Sequence, residues 1–208
     1  MREEEGMMRL YSMPSSGNSY KVRLLLALLG RAIETTDVEY LTEALEGAKA
    51  SGRLPFGKAP VLELDDGRLL PESNAILCWL GEGTGFVPAD PFARAEMLSW
   101  MFWEQNQHEG LIAVRAALLT YPHRRAQATP DRLAALLDSG HALLQVMEDR
   151  LTGREWLVGD GATLADVCLY AYTHTADERG GFEMARFPAV NAWLARVAAL
   201  PGYVGLDG

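Results

Sequence analysis

Three short segments carry residue types that could act together on one small ligand. The first is Ser15-Ser16-Gly17-Asn18, between an apolar stretch at 8–12 and a leucine-rich stretch that reads as a helix. Backbone N–H groups at a helix start point outward and carry partial positive charge. A hydroxyl among them can donate to a bound thiolate. A free thiol titrates near about 8.5, so activation at neutral pH needs a depression of about 1 to 2 units, at about 1.4 kcal/mol per unit. One hydrogen bond to a charged group contributes roughly 1.5–3 kcal/mol, which is the right size. The plainer alternative is that the serines only cap the helix.

The second segment is Lys58-Ala59-Pro60-Val61. A proline at the start of a strand suits a cis bond in a tight turn. The main chain of Ala59 would then be open to pair with a bound peptide as one more strand. The third is Pro71-Glu72-Ser73. At a helix start, the backbone N–H and hydroxyl of Ser73 could take a carboxylate, with Glu72 holding an ammonium group beside it. Alternatively, Glu72 only complements the helix dipole. Together the three suit a ligand with a thiol, a backbone amide and an α-amino-acid end. Glutathione has that constitution.

The elements that must position these segments follow in order. Residues 8–12 read as a strand and 18–29 as a helix, with Asn18 or Ser19 as cap and Gly30 as stop. Residues 32–40 read as a second strand and 42–51 as a short helix. Residues 60–64 and 68–70 form a hairpin around Asp65-Asp66-Gly67, and 72–80 a further helix. The order β-α-β-α-β-β-α is thioredoxin-like. A Gly- and Pro-rich stretch follows, and beyond it the strand signal disappears. Helices are expected over 91–121, from Thr129-Pro130, from Thr163-Leu164-Ala165-Asp166 as a capping box, and over 188–200. The expected fold class is an α/β thioredoxin-like N-terminal domain at 8–82, a linker at 83–90 and an all-α C-terminal helical domain at 91–208. Residues 1–7 are expected to be a disordered extension.

Composition narrows the classes. A formal net charge of -9 argues against nonspecific nucleic-acid binding and leaves any anion to be held by local donors. Two distant cysteines without a CxxC argue against a disulfide framework or a zinc site, and no metal is expected. No apolar run reaches the roughly 18 residues of a membrane span, and the acidic N-terminus does not read as a secretory signal. A cytoplasmic location is the expectation.

Read as a whole, the chain resembles the cytosolic glutathione transferase superfamily, in particular its bacterial, theta-like and zeta-like serine-type members. The resemblance rests on Leu10-Tyr11 through Leu24, on Lys58-Ala59-Pro60-Val61-Leu62, and on Glu72-Ser73-Asn74-Ala75-Ile76-Leu77 with Trp79-Leu80. It rests also on Trp156-Leu157 with Thr163-Leu164-Ala165-Asp166, and on Pro201-Gly202-Tyr203. It implies that Ser16 donates to the glutathione sulfur, with Asn18 as a second sulfur-directed group and Ser15 the nearest competitor. It implies that Ala59 pairs with the cysteinyl part beside a cis Pro60, and that Glu72 and Ser73 hold the γ-glutamyl end. Lys58 would reach the glycyl carboxylate or simply be solvated. It implies a homodimer in which Glu104 or Gln105 reaches a neighbouring subunit's glutathione. Leu54-Pro55 departs from the usual Asn-Pro, and Ala59 replaces the commoner valine. No cysteine lies in the 15–18 loop, which argues against the cysteine-type members.

Trp100, Glu104 and His108 recur every four residues and could share a face, either as a core or dimer stripe or as a pocket wall. Asp166 reads as a folding residue, Cys78 as a buried, inert thiol, and neither His108 nor His141 has an identifiable orienting partner. The expected activity is attack of activated glutathione on a small hydrophobic electrophile. The alternatives are glutathione-dependent reduction of disulfides or peroxides, and a non-catalytic interaction module.

Overall fold

The computed structural model describes residues 8–207, and the extension expected at 1–7 lies outside them. Two units are formed. One holds the described residues through Glu82 together with those from Pro201, and the other is Gly83–Leu200.

In the first unit, β1 (Arg9–Ser12), α1 (Gly17–Leu28), β2 (Glu34–Asp37), α2 (Glu43–Ala50), β3 (Val61–Glu63), β4 (Leu69–Pro71) and α3 (Ser73–Gly81) follow one another. The sheet order is β2-β1-β3-β4, with β1 parallel to β2 and antiparallel to β3. This is a thioredoxin-like α/β arrangement. One face of the sheet packs Tyr11, Met13, Val38 and Val61 against Leu45 and Ala48 of α2. Helix α1 buries Tyr20, Val22, Leu24, Leu25 and Leu26, and α3 buries Ile76, Leu77 and Leu80. Each such aliphatic side chain contributes roughly 1.5–3 kcal/mol on leaving water.

Helix α1 begins two or three residues earlier than its expected caps suggest. Its N-cap is Ser16, not Asn18 or Ser19. Both expected caps are engaged elsewhere. The Ser19 hydroxyl accepts from the Met13 N–H at 2.9 Å, and Asn18 Oδ1 accepts from the Ser73 hydroxyl at 3.2 Å. Strand β2 is shorter than expected because it pairs only with β1, which is itself four residues long. Past it the chain turns at Leu41, whose φ of 63° is left-handed. A side chain in that region costs about 1–2 kcal/mol.

The last residues return to α1. Gly202 has φ 83°, and a Cβ there would lie 2.6 Å from the Ala27 carbonyl oxygen, so only glycine lets the segment approach so closely. Beyond it, Tyr20 donates to the Val204 carbonyl at 2.7 Å and Arg23 to the Leu206 carbonyl at 2.8 Å.

The second unit is helical among its described residues. Asp90 caps α4 (Pro91–Trp103) by accepting from the Ala93 N–H at 2.8 Å. The expected single helix is divided. Residues Glu104–Ala113 form a π-helical segment before α5 (Val114–Thr120). Thr129 caps α6 (Pro130–Leu151), as its position before Pro130 suggests. Then come α7 (Leu164–Thr173), α8 (Ala176–Gly180) and α9 (Pro188–Ala198). The N-cap of α9 is Phe187, which has no polar side chain to cap it. The buried Glu148 of α6 does so instead, accepting from Ala189 and Val190 N–H at 3.0 and 2.9 Å.

Asp166 is fully buried at the start of α7. One carboxylate oxygen accepts from Leu157 N–H (3.0 Å) and Trp193 Nε1 (2.9 Å). The other accepts from Thr163 N–H (2.8 Å) and its hydroxyl (3.0 Å). Burial pushes its pKa above the ordinary carboxylate value, against the pull of these donors. Its role is to tie α7 to α9 and to the 156–158 segment. No helix among the described residues is long and apolar enough to cross a membrane.

Candidate functional site

Strand register gathers four segments at one end of the sheet. Ser12 pairs with Asp37, so the 13–16 loop leaves β1 where Val38 and Glu39 leave β2. Tyr11 pairs with Val61, which brings Ala59 and Pro60 alongside the same loop. Val61 pairs with Pro71, which delivers Glu72 and Ser73 to that end as well. The last of these meets the first turn of α1, where the Ser73 hydroxyl donates to Asn18 Oδ1.

The two serines of the loop differ. Ser15 is bound to Glu39 twice: its N–H donates to Oε2 at 3.0 Å and its hydroxyl to Oε1 at 2.9 Å. Ser16 is the N-cap by backbone conformation, but its side chain makes no capping bond. Its N–H donates to the Met13 carbonyl at 3.0 Å, closing the turn that presents it. The loop is also held by Arg23, which donates to the Ser12 hydroxyl (3.0 Å) and the Pro14 carbonyl (3.1 Å). Burial lowers the Arg23 pKa, while Asp37, Tyr20 and Asp207 oppose the shift.

The Ala59-Pro60 bond is cis. Lys58 is exposed and Ala59 half-buried, directly before β3. Glu72 has φ 73°, an uncommon value for a residue with a side chain. It stands before α3 with its own side chain exposed, and Ser73 is buried at the first position of that helix. Strain of this kind persists only where surrounding structure enforces it. Here Ile76 N–H donates to the Glu72 carbonyl at 3.0 Å.

Glu104 lies in the helical unit and is placed differently from the expectation. It is fully buried, and the Cys168 thiol donates to its Oε2 at 3.2 Å. Its carboxylate is enclosed within the helical unit. The reason is that Glu104 and His108 both face inward from the π-helical segment, with His108 Nε2 3.0 Å from the Thr173 hydroxyl. Trp100 is only half-buried and stacks edge-on with Trp103, so the face shared by Glu104 and His108 is core. Its neighbour Gln105 is exposed and bonds Glu109. Cys78 is half-buried.

Glu39 and Arg23 are the residues that motif reading passes over. Glu39 falls inside the strand expected at 32–40, whereas β2 ends at Asp37 and leaves its carboxylate at the strand end.

The chain thus joins a thioredoxin-like sheet unit, with polar loops gathered at one end, to a helical unit. The N-terminal domain model of the glutathione S-transferases matches residues 10–85, and the C-terminal domain model matches residues 111–201. A crystal structure of a glutathione S-transferase from Pseudomonas fluorescens is 40% identical, with a TM-score of 0.90, covering 97% of this chain and 100% of that one. The glutathione S-transferase-like protein LUC7 of a Fusarium species is 31% identical over 201 residues, covering 90% of this chain and 87% of that protein. A maleylacetoacetate isomerase from Rhizobium meliloti is 29% identical over 199 residues, covering 93% and 92%. The chain belongs to the glutathione S-transferase family.

Proposed function

We propose that this protein binds glutathione at the gathered end of the sheet, lowers the pKa of its thiol, and directs the thiolate at a small hydrophobic electrophile. One observation carries the reading. The Ser15 hydroxyl is bound to Glu39, whereas the adjacent Ser16 hydroxyl forms no cap bond with the helix it begins. This contrast supports Ser16 as the sulfur donor. Asn18 supports it through its amide nitrogen, since Oδ1 accepts from Ser73. Glu72 and Ser73 take the γ-glutamyl end, the main chain of Ala59 beside Pro60 takes the cysteinyl part, and Lys58 meets the glycyl carboxylate. In the reaction the thiol gives its proton to solvent, the sulfur bonds to the electrophilic carbon, and that carbon's bond to a leaving group such as chloride breaks. The gain comes from electrostatic stabilisation of the thiolate and from proximity. The working form is a cytoplasmic homodimer.

Calorimetric titration with glutathione tests binding, followed by assays with a chlorinated nitroaromatic and a small disulfide. Binding at micromolar to millimolar levels with turnover of the nitroaromatic supports a transferase. Turnover of the disulfide alone moves the reading to a reductase. Absence of glutathione binding overturns it.

A further inference from the structure

The geometry points to Glu39 as a positioning residue of this site, holding the Ser15 loop so that the Ser16 hydroxyl is presented to the bound sulfur. This rests on the glutathione reading above. The carboxylate of Glu39 accepts three hydrogen bonds: from Ser15 N–H, from the Ser15 hydroxyl, and from Tyr40 N–H at 2.8 Å. Two of them come from a segment 24 residues away in sequence.

Glu39 is itself fixed. Val38 N–H donates to the Ser12 carbonyl at 2.8 Å, carrying the β1–β2 pairing one step past the strands. The Glu39 carbonyl accepts from the Thr42 hydroxyl at 2.8 Å and from Thr42 N–H at 3.3 Å. That return requires the left-handed turn at Leu41. A leucine there is both strained and 86% exposed, so burial gives it no compensation. The strain closes the turn that sets Glu39.

Arg23 holds the other side of the loop, at the Ser12 hydroxyl and the Pro14 carbonyl, with Asp37 as its main charged neighbour. The loop thus lies between a carboxylate and a guanidinium.

Charge and position act in opposite directions at Glu39. A negative group near a forming thiolate disfavours it. If Glu39 acted by charge alone, its removal would lower the pKa of bound glutathione. If it acts by position, removal lets the loop drift, the Ser16 hydrogen bond weakens, and that pKa rises. If it serves only folding, the melting temperature falls and the pKa stays.

The test uses the full chain as wild type, Glu39→Ala and Glu39→Gln. Glutathione binding is measured by calorimetry, the bound thiol is titrated by the ultraviolet absorbance of its thiolate, and melting is followed alongside. We expect Glu39→Ala to bind glutathione and to raise the bound-thiol pKa by about one unit, roughly a three- to eightfold loss of thiolate at neutral pH. Glu39→Gln keeps one oxygen acceptor and should lie between it and wild type. An unchanged or lowered pKa in both variants, with a depressed pKa in wild type, overturns the role of Glu39 and leaves the glutathione reading standing. If wild type binds no glutathione, both fall. If Glu39→Ala does not fold, Glu39→Gln decides: a raised pKa supports the role, and an equal or lower one overturns it.

Discussion

At the start of α7, Asp166 uses both carboxylate oxygens on four donors, two of them from the Thr163 cap. At the start of α1, the Ser16 cap bonds through its backbone alone, and its hydroxyl makes no capping bond. Both sites are a hydroxyl residue opening a helix, the same signal in sequence. They differ in what surrounds them. Thr163 and Asp166 are buried in the helical unit, where an unmet polar group costs about 1–3 kcal/mol. Ser16 is half-buried in a loop held from outside by Glu39 and Arg23. A helix start whose polar atoms are all engaged serves the fold, and one whose hydroxyl is spared by its neighbours can serve a ligand.

The comparison can be broken most forcefully at Asp166. Asp166→Ala leaves four buried donors unmet and should destabilise the protein by about 3–5 kcal/mol, read by urea denaturation. Under conditions where the variant remains folded, the pKa of bound glutathione should not move.

Ser16→Ala should do the reverse. It should lower kcat/KM by about 10- to 100-fold, equal to about 1.4–2.8 kcal/mol of transition-state stabilisation. Because the hydroxyl makes no cap bond, the denaturation midpoint should stay close to wild type. A large fall in stability would place Ser16 with Thr163 as a folding residue.

Thr163→Ala sharpens the contrast on the other side. It removes one of the four donors and should cost about 1 kcal/mol of stability, with kcat/KM unchanged.

The smallest effect is a pH dependence. Burial lowers the pKa of His174 below the ordinary 6.5. It does the same to His141, with Arg186 adding to the shift and Glu183 and Asp138 opposing it. The unfolded chain then binds these protons more readily than the fold does. Stability should therefore be fully present above about 6.5 and decline as pH falls below it. His141 Nε2 accepts from Glu183 N–H at 3.1 Å, and protonation would break that bond. Denaturation midpoints at a series of pH values check this, and His141→Phe with His174→Phe should flatten the slope.

Much of this fold is legible in the sequence because its signals are local. Asp66-Gly67 marks the hairpin turn, with Gly67 at φ 81°. Asp90, Thr129 and Thr163 mark helix starts, and leucine spacing marks α1 and α6. What is not legible depends on partners distant in sequence. Nothing in the run of residues around Glu39 says that its carboxylate meets Ser15, because that follows from the register of β1 on β2. Likewise, four-residue spacing places Glu104 on a face, but whether that face is open or enclosed depends on Cys168 of α7. The same limit applies to the segment after Pro201, whose return to α1 depends on Tyr20 and Arg23.

The most direct test of the central claim is the thiol pKa of glutathione bound to wild type and to Ser16→Ala, titrated by thiolate absorbance. The account predicts a value about 1 to 2 units below the free thiol's ~8.5 in wild type, returning toward the free value in Ser16→Ala while glutathione still binds. An equally depressed pKa in both proteins would contradict it.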